Sequence, residues 1–413
     1  MTRSISRRKQ REEERRGGES GKKMEASLQV CQIRGIPIRL HFSFLFLLPL
    51  IFFVFMEAEP PFGFGGNFNT QTRLGLAAAA TFLLFASLLM HELSHSLLAM
   101  RYGTKIQGIT LFLFGGVAMM EDMPREPSKE WRVAIAGPAM SIAIGTTFIG
   151  ISFLLASPVF NAQVLKPLSA LAESIGLLNI FLAAFNLMPA FPMDGGRMLR
   201  AFLAERMSFL DATKKAVLVG KVFAVLMGIA GIMPNPFALA HDGRIEILSP
   251  WLTLIAIFLF IAASEEERAT EIFATLEGVK VADVMRAGSA GGVPASATVE
   301  DVFKRMLSER CTEFAVVSEE GRVLGFLHFR ELKEMPAEKR EFLRAEDALQ
   351  STAEEAKELL TANAVSASDD AVAALKRMLR ERKSILAVVD DEGKFKGIIT
   401  KKDIAHFVEM LRG

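Results

Sequence analysis

Cysteine is nearly absent from this chain. Cys31 and Cys311 are the only two in 413 residues, far apart and outside any metal or redox spacing, so a disulfide framework is excluded. Tyrosine and tryptophan are almost as scarce, one and two residues against 33 phenylalanines, so the aromatic content is overwhelmingly apolar. Neither sign of charge is in excess: 48 Lys and Arg stand against 47 Asp and Glu, and a net charge of +1 gives no support for nucleic-acid binding. Apolar residues, by contrast, make up 51% of the chain, which excludes a disordered protein and is too much for an ordinary soluble enzyme. Charged residues still reach 23%, so the average conceals two unlike halves. At roughly 150 residues per domain the length allows two or three domains.

The halves separate near residue 264. Before it, six apolar runs approach the ~20 residues that cross a ~30 Å hydrocarbon core, at about 39–56, 75–100, 132–157, 168–189, 214–233 and 249–263. After it, Glu265-Glu266-Glu267-Arg268 opens a stretch of soluble composition that runs to Gly413. Residues 1–27 form a charged tail without apolar pattern, expected to be disordered, and Leu28–Ile33 alternates like a strand. The first apolar run lacks a small-residue cleavage site and reads as a retained span. Basic residues vote on orientation. Arg101, Lys105, Arg125, Lys129 and Arg132 lie between spans two and three, and Arg197, Arg200, Arg206, Lys214 and Lys215 between four and five. The opposite loops hold only Arg73, Lys166 and Arg244. Both termini and the soluble half are therefore expected in the cytoplasm of a multi-pass cell-membrane protein.

Inside the second run stands His91-Glu92-Leu93-Ser94-His95. Histidines at i and i+4 share one helical face, one turn apart, so both imidazoles can reach one metal ion. Glu92 follows directly, where its carboxylate can take a proton from water at that metal. Three ionisable groups inside a membrane run each cost several kcal/mol unless paired or bound to metal, which weighs against a plain polar contact between helices. A third ligand is available at the end of the fourth run, in Asn186-Leu187-Met188-Pro189-Ala190-Phe191-Pro192-Met193-Asp194-Gly195-Gly196. The prolines and the double glycine are expected to break the helix there, and Asp194 sits at the break. Taken alone, an Asp-Gly pair reads equally as a turn or helix cap.

The order His-Glu-x-x-His, then Asn-x-x-Pro-x-x-Pro-x-Asp-Gly, resembles the site-2 protease family of intramembrane zinc metalloproteases. Gly35–Phe44 is similar to the segment leading into that family's first core helix, Ile106–Val117 to its re-entrant hairpin, and Ala136-Gly137-Pro138-Ala139-Met140 to the start of its third core helix. The resemblance covers about residues 28–200. It implies one zinc ion held by His91, His95 and Asp194, with Glu92 as general base. It further implies Asn186 as a substrate-positioning residue, for which a helix–helix hydrogen bond is the competing role. A turn at Gly115-Gly116 would offer a strand edge to an unwound substrate, the competing role being a loop that shapes the cavity. A family-typical Asn is Ser141 here, and Gly137, Ser141 and Gly145 form a small-residue stripe suited to close helix packing. His41, His241, His328 and His406 carry no motif and are expected to be structural or peripheral.

The soluble half repeats itself. A helix from Val299 to about Glu309 leads to Phe314–Ser318, a Glu-Glu-Gly turn and Arg322–Leu327. A helix at about 368–382 leads likewise to Ser384–Asp390, Asp391-Glu392-Gly393 and Phe395–Ile399. This resembles a tandem of CBS domains. The resemblance implies an adenine nucleotide at Gly397-Ile398-Ile399-Thr400-Lys401-Lys402-Asp403, with Thr400 toward phosphate and Asp403 toward ribose. Thr400 and Asp403 are equally spaced to cap the helix that follows. The first copy has His328 and Glu331 in their places.

The expected architecture is a polytopic α-helical membrane protein, about six transmembrane helices with a re-entrant β-hairpin, followed by an α/β cytosolic CBS pair. Its parts are a tail (1–27), a metalloprotease domain (28–264), a linker (265–278) and the CBS module (279–413). The expected partners are the lipid bilayer, a membrane-anchored protein substrate, an adenine nucleotide and a second copy of the chain through the CBS modules, with no nucleic acid. The residues leave open two non-enzymatic readings: a transporter, or a protein that captures transmembrane helices, either one gated by the CBS pair.

Overall fold

The computed structural model describes residues 27–66, 68–112, 115–120, 126–157, 162–233, 250–288, 291–309, 311–350, 364–381 and 383–411. Residues 1–26 of the tail, Arg125, His241 and Arg244 lie outside them, and Ser27, expected in the tail, is strand. The chain divides into two compact units, one ending at Glu266 and one beginning at Glu267.

The first unit opens with strands β1 (Ser27–Ile33) and β2 (Ile36–His41), joined through Arg34 and Gly35, both at positive φ. Ile36 and Ile38 are buried on one face of β2, in the period-two pattern of a strand. This moves the start of the first apolar helix: residues 39–41, expected within the first span, are strand, and helix α1 spans Phe42–Glu57. His41 caps it, Nδ1 accepting from Ser43 N at 3.2 Å. Sixteen residues give α1 a length of about 24 Å.

Helix α1 is shorter than a membrane span, and among the described residues four helices are long and apolar enough to cross a membrane: α2 (Thr70–Arg101), α3 (Pro127–Leu155), α4 (Ala162–Asn186), and, after the shorter α5 (Asp194–Ala204), α6 (Phe209–Ile232). Helix α7 (Pro250–Thr275) follows and continues through 265–275, so most of the expected linker is helical. Between α2 and α3 lie β3 (Ile106–Phe112) and β4 (Gly115–Met120), antiparallel, in a sheet of order β1-β2-β3-β4. Gly115 and Gly116 pair with Phe112 and Leu111. They therefore belong to β4 and not to a turn as expected, and residues 113–114 lie outside the described residues.

The bundle's outer surface is apolar, and polar side chains are found inside it among the apolar core. Phe82, Phe153, Phe181, Leu226 and Trp251 lie on its surface, each more than 60% exposed, whereas Ser87, His91, His95, Ser96, Ser141, Ser174, Asn179 and Asp194 are buried. An exposed apolar surface of this extent suits lipid, and the ionisable His91, His95 and Asp194 are kept away from it. Helix α3 packs against α2, α4 and α5. It approaches α4 so closely that a Cβ on Gly145 would stand 2.8 Å from Ile180.

The second unit contains two β-α-β-β folds. In the first, β6 (Gly292–Pro294) runs parallel to β7 (Glu313–Val317) across helix α8 (Val299–Glu309), and β7 turns back into β8 (Val323–His328). In the second, β9 (Ala364–Ser366), helix α9 (Ala371–Arg380), β10 (Ile385–Val389) and β11 (Phe395–Thr400) repeat the order, with β5 (Arg286–Ala287) pairing with β11. Gly321 and Gly393 occupy positive φ at the two hairpin turns, which is why each acidic pair there is followed by glycine. Each amphipathic helix covers its own strands, Val299, Val302 and Met306 in one copy and Ala374, Leu375 and Met378 in the other. The internal repeat is therefore structural.

Candidate metal centre

Helix α2 carries His91 and His95 on its buried face, 2% and 5% exposed, with ring centroids 4.9 Å apart. Asp194 arrives from another direction, as the first residue of α5. The chain leaves α4 at Asn186 and re-enters a helix at Asp194, so the break lies in 187–193. Gly195 and Gly196 are helical and do not break it, contrary to the sequence expectation. They are small because the chain doubles back on itself: a Cβ on Gly195 would strike the carbonyls of Leu187 and Met188, and one on Gly196 would stand 2.6 Å from Phe191 N.

Three donor atoms converge. Asp194 Oδ2 lies 3.3 Å from His91 Nε2 and 3.1 Å from His95 Nε2, and the two Nε2 atoms are 3.2 Å apart. Ligands set tetrahedrally about zinc at ~2.1 Å stand about 3.4 Å from one another, so the triangle has the right size for one ion with one position left open. The donor set, two imidazoles and a carboxylate, is also zinc chemistry. Space is provided as well: a Cβ on Gly137 of α3 would collide with the Nε2 atoms of both histidines. This is the one His, Cys, Asp and Glu cluster of metal-binding geometry among the described residues. Glu92, partly buried, is one residue from His91 and within electrostatic range of His95, His91, Asp194 and Arg197.

The far side of each imidazole is held by α3. His91 Nδ1 lies 2.9 Å from Ser141 Oγ, and His95 Nδ1 lies 2.6 Å from the Val133 carbonyl. Val133, Gly137 and Ser141, spaced i, i+4, i+8, thus form the wall of α3 against the two histidines. The small-residue stripe divides accordingly: Gly137 and Ser141 face the cluster, and Gly145 faces α4. Asn186 has a different engagement, its Nδ2 donating to the Leu182 carbonyl one turn back (2.9 Å). Gly115 and Gly116 lie on β4, the edge strand of its sheet.

In the second unit Thr400 caps helix α10 (Lys401–Met410). Its Oγ1 accepts from Asp403 N (3.1 Å) and donates to Asp403 Oδ2 (2.7 Å), which also accepts Thr400 N (3.0 Å). The other oxygen, Oδ1, accepts from Arg286 Nε at 2.6 Å. The capping role is realised, and Arg286 engages the carboxylate assigned to ribose. Sequence reasoning passed over Arg286 and Val133 and read Ser141 only for packing, since each acts across a contact between elements distant in the chain.

Comparison with known proteins agrees with both halves. The family model of Peptidase family M50 matches residues 79–165 and 155–229, and that of the CBS domain matches 281–338 and 354–409. The chain is 31% identical over 389 residues to zinc metalloprotease MJ0392 of Methanocaldococcus jannaschii, covering 94% of this chain and 98% of that protein. It is 30% identical over 391 residues to putative zinc metalloprotease Rip3 of Mycobacterium tuberculosis, 94% of each. Among solved structures, a site-2 protease from Methanocaldococcus jannaschii is 34% identical over 58% of this chain and 95% of that one, with a TM-score of 0.39.

Proposed function

The chain belongs to peptidase family M50, and from that membership we propose that it cuts membrane-anchored proteins within their transmembrane segments, at one zinc ion held by His91, His95 and Asp194. It is a zinc metalloprotease of the site-2 type, and it carries a CBS domain. The observation that supports this site most directly is the triangle of donor atoms, 3.1 to 3.3 Å on a side, buried in a bundle whose outer surface is apolar. Zinc in that position supplies Lewis acidity, which polarises a carbonyl and makes water more acidic. Glu92 takes a proton from the attacking water and passes it to the amine nitrogen of the leaving peptide. The family membership favours the enzyme over a transporter or a helix-capturing protein.

A transmembrane helix hides its peptide bonds, so the substrate unwinds locally and its freed backbone groups need partners. Strand β4, at the sheet edge, supplies them through Gly115 and Gly116 of a re-entrant hairpin, where the lack of side chains lets another backbone approach. Asn186 positions the substrate from the end of α4. In this reading α1, α2, α3, α4, α6 and α7 are six spans of a cell-membrane protein, with both termini and the CBS pair in the cytoplasm. The CBS pair binds an adenine nucleotide at Thr400 and Asp403, brings two chains together and modulates cleavage.

The test is cleavage in liposomes of a single-span substrate by purified protein, with and without a zinc chelator. Cleavage by the wild type, lost with chelator and restored by zinc, is expected. A zinc-loaded protein that leaves a panel of single-span substrates intact would count against the reading.

A further inference from the structure

We infer that Ser141 is a positioning residue for the metal site, fixing the tautomer and orientation of His91 from the neighbouring helix. The inference rests on the reading of His91 as a ligand through Nε2. A neutral imidazole that offers Nε2 to a metal carries its proton on Nδ1, and with the ring buried that proton needs a protein acceptor. For His95 the acceptor is the Val133 carbonyl at 2.6 Å, which no side-chain change can remove. For His91 it is the Ser141 hydroxyl at 2.9 Å, completely buried on α3.

The arrangement is specific in register. His91 and His95 lie one turn apart on α2, and their partners descend the same face of α3 in the opposite order. Gly137 between them leaves room for both Nε2 atoms. A serine serving only to let helices pack would be replaceable by alanine, which is smaller still. A serine that orients His91 is not: without the hydroxyl, Nδ1–H is buried without a partner and the ring is free to turn or to change tautomer.

The experiment uses the full chain in detergent micelles, comparing wild type, Ser141→Ala, Ser141→Thr and His91→Ala. Zinc affinity is measured by competition with a chromophoric chelator, and the visible absorption of the cobalt(II)-loaded protein is recorded. Loss of an outer hydrogen-bond partner typically weakens metal binding by about 10–100-fold. Ser141→Ala is expected to fall in that range with an altered cobalt spectrum, and Ser141→Thr, which keeps the hydroxyl, to recover most of the affinity. Wild-type affinity and spectrum in Ser141→Ala, with metal lost in His91→Ala, would overturn the inference and leave the ligand reading standing. Wild-type affinity in His91→Ala would overturn the ligand reading and this inference with it. Should Ser141→Ala not fold, Ser141→Cys, a weak acceptor of similar size, carries the same expectation.

Discussion

Arg200 donates from Nε (2.8 Å) and from Nη2 to one oxygen of Glu130, and both side chains are buried. Its Nη1 reaches Glu266 at 2.8 Å, and the rings of Phe191 and Phe209 lie 4.9 and 4.7 Å from its Cζ. The first turn of α3, the segment after α4, the start of α6 and helix α7 thus all meet one side chain of α5. Asp194 begins that helix six residues earlier, so the arginine anchors the element that presents the carboxylate to the histidines.

Removing one partner of a buried ion pair strands the other and costs about 3–5 kcal/mol. Glu130→Ala should therefore lower the stability of the first unit by that order, read as a shifted midpoint in thermal or denaturant unfolding in detergent. Glu130→Gln should cost less, because an amide oxygen still accepts from Arg200. Wild-type stability in Glu130→Ala would show that the pair contributes nothing.

The convergence of His91, His95 and Asp194 was legible because each is set by its own segment. His91 and His95 lie one turn apart whatever surrounds them, and Asp194 is flanked by residues whose backbone demands are local. Strand β1 followed from alternation, the β3–β4 pair from the family resemblance and the CBS strands from their recurrence, whereas β2 was partly taken for membrane span. What stayed hidden depends on register between helices. Arg200 looked like a loop charge and was counted as a topological vote, although Glu130 lies 70 positions away in sequence and takes it into the interior. Ser141 looked like a packing residue because nothing within α3 points to His91. The double glycine was read as a helix break because glycine serves both loose turns and close approaches, and only the neighbouring Leu187 and Met188 carbonyls distinguish the two.

Gly137→Ala tests whether the space between the two Nε2 atoms belongs to a metal. A methyl group there would collide with both rings. Overpacking of a dense interior costs about 1–3 kcal/mol. Falling on the site, that corresponds to roughly 5–150-fold weaker zinc binding at 1.4 kcal/mol per decade. Gly150→Ala, facing open space on the same helix, should bind zinc as the wild type does. Equal zinc affinity in the two variants would place the ion elsewhere.

Glu92→Gln separates binding from turnover. The amide cannot take a proton from water, so peptide cleavage should fall by at least about 100-fold. His91, His95 and Asp194 are untouched, so zinc content by elemental analysis should remain one ion per chain. His91→Ala should lose both. Retained cleavage in a pure Glu92→Gln sample would remove Glu92 from the chemistry.

The CBS pair offers a prediction of opposite sign to the usual loss-of-contact experiment. Arg286 holds Asp403 Oδ1 at 2.6 Å, and its side chain is 47% exposed. A nucleotide ribose seeking that carboxylate must first displace the guanidinium. The Asp403 side chain is 9% exposed, so the pair is screened on the arginine side only and contributes on the order of 1 kcal/mol, and opening it weakens binding by up to roughly fivefold. Arg286→Ala should accordingly bind AMP more tightly, by up to about that factor, in calorimetry on the full chain. Asp403→Ala should lose AMP binding and also the reciprocal cap on α10, worth about 1 kcal/mol. Weaker AMP binding in Arg286→Ala would instead mean that the arginine turns from Asp403 to the phosphate, and equal binding in all three proteins would move the nucleotide away from Thr400 and Asp403 altogether.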